Sequence, residues 1–560
     1  MSGYCRLALT LLVLVAVLPA RLAAAPAEAK PKAAVATPAG KPKPRITISK
    51  ETTYLVGPLR PDGYVDYVAA LNAELGRGVT PENNAVVPLM VACGPTVVSE
   101  KQRAAFFELL GVPVPPEKGS YFVSIYRYVQ YLHGQSELPG MEKRASTPLD
   151  PKECDEAEAE CAQAQKRPWS REEFPTVAGW LDVNREPLRL IGEAGRRPRF
   201  YAPLVPCGEP PMITVLLPVC DAPRSAIRLL AAHAMLRLHE GKLDEAWQDL
   251  LACHRLARQV GQGTTLVEGL VAFVIERTAV AGEAAVAHYG RPSAATIRQM
   301  KADLAALPPM RKMADRIDHG ERFFGLDAAA TVARKGLSEI DNITGFGTTS
   351  GKHTGLLEQA IFAGLDATID WDEPLRILNR WYDRLAAAAR KPTRAERAAA
   401  MAECEKQLKA LAAGVRDIRR IPERFLEKPP GQTVGRWLGE VLVALLLPAI
   451  NAVTRAEDRS ATETKLAEVA LDLAAYRADH GKYPEQLAEL KPKYRAEIKD
   501  PFSDSELRYR RDGEGFLLYS VGPNGKDDGG RNLSDYPERP PEAAGWDDIA
   551  IHMPVRPRKR

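Results

Sequence analysis

Two groups of acidic side chains are the residues of this sequence best suited to acid–base chemistry. The first group comprises Asp315, Asp318, His319 and Glu321, and the second comprises Asp366, Asp370, Asp372 and Glu373. Each group contains a pair of side chains four residues apart, a spacing that places both on one face of a helix. Two carboxylates, one of them with a pKa raised by burial, could act as general acid and base in an exported hydrolase.

An ion-paired helix face is the alternative interpretation of both groups. Basic residues flank the first group at Arg311, Lys312, Arg316 and Arg322. Either Asp370 or Asp372 could instead cap the helix that follows. The sequence contains no HExxH, GxSxG, dinucleotide-binding or EF-hand pattern, and the Gly/Thr-rich loop over 338–354 does not satisfy the P-loop pattern. We therefore assign no catalytic residue, and whether the protein is an enzyme stays open.

The charge of the chain is unevenly distributed. The 560 residues include 76 Lys and Arg and 72 Asp and Glu, a formal net charge of +4. Residues 1–45 carry +6 and residues 551–560 carry +4, which leaves −6 for residues 46–550. A mildly acidic body disfavours a nucleic-acid-binding surface.

The N-terminal residues have the pattern of a secretory signal. Arg6 precedes the apolar run Leu7–Leu18, and small residues follow with candidate cleavage points after Ala24, Ala25 or Ala27. The run is too short to span a bilayer, which needs about 20 residues; an uncleaved anchor is the alternative. We expect an exported protein, periplasmic, associated with the cell envelope or secreted, without a stable transmembrane span once the signal is removed.

The number of cysteines agrees only in part with an exported protein whose cysteines form disulfides. Eight cysteines minus Cys5 of the signal leave seven, so at least one thiol lacks a partner within the chain. Cys207 and Cys220 flank a short apolar segment and are candidates for a disulfide, while Cys253 and Cys404 fall in predicted helices as small buried residues. The absence of a CxxC pattern disfavours zinc.

Helical periodicity dominates the body of the chain. Residues 223–260 predict two antiparallel helices joined around Gly241, and further helices are expected over 264–288, 293–307, 310–335, 355–367, 372–390 and 394–418. The hairpin resembles a single tetratricopeptide-type unit, with Ala234 and Ala246 as its small residues. Because no 34-residue period follows, a generic helical hairpin is the alternative.

The last hundred residues give the most specific pattern. Residues 435–480 predict one long helix with a kink at Pro448, and Tyr483 and Pro484 follow its end. Two strands with aromatic alternation, 507–511 and 516–521, are then joined by a tight turn. A Gly/Asp-rich loop over 524–530 follows the second strand.

This arrangement resembles the major pseudopilin of type II secretion systems. The resemblance rests on the long helix, Tyr483 with Pro484, the Asp500-Pro501-Phe502 motif, the hairpin and the glycine–aspartate loop. It covers about 435–550, and the chain is also similar to uncharacterised exported bacterial proteins with the same C-terminal pattern. Because Pro448 ends the apolar run Val441–Leu447 and leaves it too short to span a bilayer, we expect this half of the helix to be buried against the body.

The resemblance also implies a calcium site, because the final loop binds calcium in that family. By position, Asp527 and Asp528 are the expected ligands, with Asp547 and Asp548 closing the site and Asn524 offering a carbonyl oxygen. Calcium prefers six to eight oxygen ligands, which such a loop can provide. A solvated turn rich in Gly and Asp is the alternative.

Together these patterns predict a mainly α protein, with an irregular, α-solenoid-like multi-helix body and a small α+β module. The expected segments are a signal peptide over 1–27, a disordered Pro/Ala/Lys linker over 28–45, the helical body over 46–430, the pseudopilin-like module over 431–550 and a basic tail over 551–560. We expect a structural or interaction scaffold with an unidentified protein partner. An exported hydrolase and an accessory component of a secretion or pilus-like apparatus are the alternatives.

Overall fold

The computed structural model describes residues 44–555, except for 210, 216–217, 337–338, 340–368, 417–429, 448–449, 496, 504 and 534–544. The predicted signal peptide, nearly all of the linker and the end of the basic tail lie outside the described residues. So do the loop predicted over 338–354 and the helix predicted over 355–367, apart from Glu339.

The described residues are mainly helical, with one small antiparallel sheet, and they divide into two compact units. Within the described ranges, unit 1 comprises residues 44–74, 206–215 and 317–451, and unit 2 comprises residues 75–205, 218–316 and 452–555. In this division the first part of the predicted module belongs to the first unit and the rest to the second.

Unit 1 is a helical assembly. Its elements are α1 (Tyr67–Leu75), which crosses the boundary at its last residue, a π-helical turn (Ile317–Glu321), α13 (Arg322–Lys335), α14 (Asp372–Ala389), α15 (Arg394–Arg416) and α16 (Pro430–Leu446). Helix α16 packs against α13, α14 and α15. Leu438, Leu442 and Val443 on α16 are buried, as expected for an apolar stripe that faces other helices.

Unit 2 contains most of the described helices, and the last of them begins two residues before its boundary. They are α2 (Val86–Cys93), α3 (Glu100–Leu110), α4 (Ile125–Leu132), α5 (Pro151–Ala164), α6 (Pro175–Val183), α7 (Arg185–Arg196), α8 (Pro218–His239), α9 (Leu243–Val260), α10 (Leu266–Tyr289), α11 (Ala294–Ala305), α12 (Met313–Arg316) and α17 (Ile450–His480). Helix α9 packs against both α8 and α10. The predicted hairpin is therefore present as α8 and α9, with α10 as a third neighbour.

The sheet of unit 2 has three antiparallel strands in the order β1 (Arg508–Asp512), β2 (Gly515–Ser520) and β3 (Ile549–Met553). Tyr509 pairs with Leu518, and Leu518 pairs with Ile551. The central strand is buried along most of its length, because it is covered on both edges. The predicted hairpin is thus confirmed, and the third strand was not predicted.

Two detailed expectations are wrong. The helix predicted over 435–480 is two helices, α16 and α17, because α16 ends before Pro448, whose ring cannot continue the ladder of helical hydrogen bonds. Cys207 is an exposed free thiol that donates to the Thr214 carbonyl at 3.3 Å, so it is not joined to Cys220. Cys253 and Cys404 are buried, as expected. Among the described residues, no helix combines the length and apolar character needed to cross a bilayer.

Candidate metal centre

The candidate site lies where the end of β2 meets the start of β3. Ser520, the last residue of β2, pairs with Ile549, the first residue of β3, so the loop after β2 and the segment before β3 are adjacent. Gly522 adopts φ +65°, and a Cβ placed on it would lie 2.3 Å from the Asp547 carbonyl oxygen. Only glycine therefore fits this crossing of the two segments.

Three carboxylates converge at this point. One oxygen from each of Asp528, Asp547 and Asp548 lies within 4.8 Å of the other two. The side chain of Asp548 is completely buried, and the other two are half-buried. Three acids this close together, one of them out of contact with water, form an arrangement that needs compensating positive charge or protons.

The second oxygen of each of the last two carboxylates has its partners within the loop. Asp548 Oδ2 accepts from the backbone N–H groups of Asp528 at 3.0 Å and Gly530 at 2.8 Å. Asp547 Oδ2 accepts from the backbone N–H of Asn524 at 3.1 Å. These bonds fix the orientation of both carboxyl groups.

The other carboxylate oxygen of Asp547 and that of Asp548 are available as ligands for a bound ion. Asp547 Oδ1 and Asp548 Oδ1 are buried and accept no hydrogen bond from the described residues. An unpartnered buried carboxylate oxygen costs about 1–3 kcal/mol or more, so such atoms are rare in native proteins. A metal ion at the point of convergence would supply the missing partner for both.

The electrostatics of the site agree with that reading. Burial raises the pKa of Asp548 to about 6, and the Asp528 carboxylate adds to the rise while the Gly530 N–H opposes it. Burial and Asp528 also raise the pKa of Asp547. Without an ion, the site therefore retains protons more readily than ordinary aspartates do, and a divalent cation would displace them.

Asp527, the fourth predicted ligand, has different contacts. Its Oδ1 accepts from the Tyr519 hydroxyl at 2.9 Å and from the Gly529 N–H at 3.0 Å, and its Oδ2 lies 3.4 Å from Arg508 Nε. It therefore ties the loop to β1 and β2. The structure brings Asp528, Asp547 and Asp548 together, and Asp527 is not a member of that group.

Asn524 supports the site as a donor. Its Nδ2 donates to Asp528 Oδ2 at 3.1 Å and to the Gly545 carbonyl at 2.6 Å, while its side-chain oxygen accepts from the Lys526 N–H. The side-chain carbonyl that the sequence offered as a ligand is thus engaged in the turn. Asn524 joins the two loop segments.

The Asp500 carboxylate fixes the residues just before the loop through three hydrogen bonds. Its Oδ1 accepts from the Phe502 N–H at 2.9 Å and from the Ser520 hydroxyl at 2.6 Å, and its Oδ2 accepts from the Val521 N–H at 3.0 Å. The side chain is buried. The Asp-Pro-Phe motif therefore holds the end of β2 where the loop begins.

Asp318 of the first acidic group and Asp370, Asp372 and Glu373 of the second form ion pairs. Asp318, in the π-helical turn, pairs with Arg322 at 2.5 Å and Arg390 at 2.7 Å. Although burial alone raises its pKa, these arginines lower it. Arg376 Nη atoms lie 4.0, 3.3 and 3.8 Å from the carboxylates of Asp370, Asp372 and Glu373.

The ion-pair interpretation therefore fits these groups better than a catalytic one. A general acid needs a raised pKa, and Asp318 shows the opposite shift. Asp370 Oδ1 accepts from the N–H of Asp372, the first residue of α14, whose N-cap position is held by Trp371 without a side-chain cap. Asp366 lies outside the described residues.

Sequence reasoning missed one charged cluster altogether. His254 on α9 lies between Glu276 and Glu283 of α10, with all three side chains almost completely buried. The two glutamates are seven residues apart on an otherwise apolar helix face, which is the signal that could have drawn attention to them.

No known protein family, curated protein or solved structure matches the chain. The likeness of the C-terminal residues to a pseudopilin is therefore a proposal that rests on these residues and their geometry.

Proposed function

We propose that this protein is an exported interaction scaffold whose C-terminal module is held in shape by a bound calcium ion. The observation that carries the proposal is the convergence of Asp528, Asp547 and Asp548, two of which have a buried oxygen without a partner. The ion would serve structure, because its three carboxylates lie in a loop that closes a small sheet.

The kind of ligand at the site suits calcium, which takes six to eight oxygen ligands in flexible geometry, whereas magnesium demands near-ideal octahedral geometry and usually keeps several waters. The three carboxylates each offer one oxygen, and these oxygens lie within 4.8 Å of one another. Only oxygen ligands are present in the group, which also disfavours zinc and copper.

The pseudopilin-like character of the module is supported by how its motifs contact each other. The Tyr509 hydroxyl on β1 donates to the Pro484 carbonyl at 2.8 Å, and the ring of Tyr483 packs edge-on against Phe516 of β2 at 5.0 Å. Asp500 secures the end of β2. The residues that suggested the family thus act together as one packed unit.

The scaffold role is supported by the helical body. Two observations also disfavour the alternatives, a hydrolase and a component of a secretion apparatus. Asp318 and Asp372, one member of each acidic group on which the hydrolase hypothesis rests, form ion pairs. An apparatus component would offer residues 441–447 to a membrane, yet Leu442, Val443 and Leu447 are buried in unit 1. Signal cleavage and export follow from the N-terminal pattern and are part of the same proposal.

Calorimetric titration of the purified, chelator-treated protein with CaCl₂ tests the metal site. We expect saturable binding of one ion, weaker binding of MgCl₂, and loss of calcium binding in Asp548→Asn, which keeps the size of the side chain. Asp527→Asn is the matched control, because Asp527 lies outside the carboxylate group, and it should retain binding. No heat of binding at millimolar calcium would contradict the proposal.

The scaffold role is tested separately. The protein carrying a C-terminal tag is recovered from envelope and periplasmic fractions in calcium or in EGTA, and cross-linked species are identified by mass. We expect recovery from the exported fractions with a defined partner that is retained in calcium and lost with Asp548→Asn. Recovery from the cytoplasm with the signal intact would contradict export. A partner retained equally in EGTA would show that partner binding does not depend on the metal site.

A further inference from the structure

The buried cluster around His254 carries an inference independent of the metal site. The imidazole lies between two carboxylates, with Nδ1 3.3 Å from Glu276 Oε1 and Nε2 3.4 Å from Glu283 Oε2. The side chains of His254 and Glu276 are 1% exposed and that of Glu283 is 3% exposed. One ring thus faces an acidic group on each of its two nitrogen atoms.

Charge balance defines the protonation of this cluster. Arg258, one turn after His254, lies 2.8 Å from Glu276 Oε1 and neutralises one carboxylate. A neutral imidazole would leave two glutamates against one arginine, a net charge of −1 in the core, whereas an imidazolium brings the sum to zero. An unpaired buried charge costs several kcal/mol, so a proton on this cluster is strongly favoured.

A metal ion is a poor explanation of the same cluster. The two carboxylates approach opposite sides of the ring, so a single ion could contact one nitrogen and one glutamate only. Neither nitrogen has hydrogen-bond alignment with its neighbour, and Glu276 Oε2 and Glu283 Oε1 are also unpartnered. The contacts are those of an ion pair in which the cation lies between its two anions.

The neighbouring helices supply no other cation at ion-pair distance from Glu283 among the described residues. Groups on the surrounding elements pair as follows: His233 of α8 with Asp249 of α9, Arg197 after α7 with Glu193, Lys301 of α11 with Asp472 of α17, and Glu468 of α17 with Arg495. Asp303 of α11 accepts from the indole N–H of Trp247. His254 is thus the positive charge that Glu283 faces.

We propose that His254 is a proton-dependent clamp between α9 and α10: it is held as the imidazolium through neutral pH, and its deprotonation in mildly alkaline solution weakens the packing of these two helices. Burial by itself lowers the pKa of His254, but Glu276 and Glu283 outweigh burial and raise it to about 9. Burial also raises the pKa of Glu283, and the hydrogen bond and charge of His254 oppose that rise.

The direction of the pH effect follows from linkage. Since the folded-state pKa is above the value of 6.5 for a free histidine, the stabilisation is fully present below pH 6.5 and is lost as the pH rises to about 9. Between those values the folded chain holds one proton more than the unfolded chain. The unfolding constant should therefore rise up to about tenfold per pH unit from this group.

The first test is an NMR titration of the protein labelled with ¹³C-histidine. The His254 signal is identified as the one missing in His254→Gln or, should that variant not fold, as the one whose midpoint is moved by Glu283→Gln. We expect a midpoint near 9 in the unmodified chain and a lower one in Glu283→Gln. A midpoint at or below 6.5 would overturn the proposal.

The second test is urea unfolding between pH 6 and 9.5. The unmodified protein should lose stability across this range, and in Glu283→Gln the pH-dependent loss should end at a lower pH and be smaller in total. His239→Gln is the control, because His239 is exposed, and it should leave the profile unchanged. A merely structural histidine would give a Glu283→Gln profile displaced equally at all pH values, and that result would refute the clamp.

Discussion

The imidazole of His288 lies parallel to the phenol ring of Tyr483, with ring centroids 6.0 Å apart and His288 Nδ1 3.1 Å from the tyrosine hydroxyl. His288 belongs to α10, and Tyr483 follows the end of α17. Arg477 adds to this junction, since its Nη2 donates to the carbonyls of Ala287 and His288 at 2.9 Å. The contact joins the C-terminal residues of unit 2 to its long central helix.

This junction predicts a loss of stability in acid. Burial, followed by the charges of Arg477 and Arg291, lowers the pKa of His288 to about 4. The unfolded chain therefore binds an extra proton between pH 6.5 and about 4, so this contribution is complete above 6.5 and declines as the pH falls to 4. In His288→Gln, measured by urea unfolding, the acid-dependent loss should be smaller. An identical pH profile in the variant would contradict this assignment.

The glycines of the metal loop provide a matched pair of substitutions. Gly522 and Gly525 have φ +65° and +68°, so alanine at either costs about 1–2 kcal/mol in backbone strain. A Cβ on Gly522 would meet the Asp547 carbonyl oxygen at 2.3 Å, whereas a Cβ on Gly525 has nothing within 4 Å. Gly522→Ala should therefore reduce stability further and weaken calcium binding, as measured by calorimetry. Equal effects of the two variants would show that the crossing is not rigid.

Asp472 is predicted to contribute strongly to the stability of unit 2. It is buried, and it accepts from Lys301 and Arg495, each at 2.5 Å. Its replacement by alanine removes the anion that Lys301 and Arg495 share and leaves Arg495 with Glu468 alone, which should cost more than the roughly 1 kcal/mol of an exposed ion pair in urea unfolding.

Asp479→Ala is the control for that prediction. Asp479 lies on the same helix and pairs with Lys493 at 2.8 Å, but it is exposed. Exposed ion pairs contribute about 1 kcal/mol or less, so the control should change stability little. Comparable losses in both variants would contradict the role assigned to burial.

The apolar run of α16 is predicted to serve the core of unit 1. Leu442 is 1% exposed, and its replacement by alanine should reduce the free energy of unfolding by about 2–5 kcal/mol through the cavity it leaves. Arg436→Ala on the exposed side of α16 is the control. If Leu442→Ala left stability unchanged but impaired association with membranes, the core role would be wrong.

Several elements could be predicted from local sequence because local physics decides them. The hairpin of α8 and α9 follows from apolar periodicity around Gly241, and the β1–β2 hairpin follows from aromatic alternation around a Gly-containing turn. The third strand could not be predicted in the same way. Ile549–Met553 alternates over only five residues, and it becomes a strand by pairing with β2.

The candidate metal site, too, could be predicted only in part from the sequence. The sequence identified four aspartates as loop residues rich in oxygen ligands, but two of them lie about twenty positions from the others. Asp527 and Asp528 are neighbours in sequence, and yet the first turns to Tyr519 while the second joins Asp547 and Asp548. Which of two adjacent side chains faces the site depends on the turn geometry and on the pairing of β2 with β3.

By itself the sequence determined the helical character of the chain, the uneven distribution of charge, the signal-like N-terminal pattern and the position of the C-terminal hairpin. Only the tertiary structure decided which charged groups are buried together. His254 meets Glu276 and Glu283 because α9 packs against α10. Periodicity predicts that a helix has a buried face, but the partner of each residue on that face depends on contacts between distant segments.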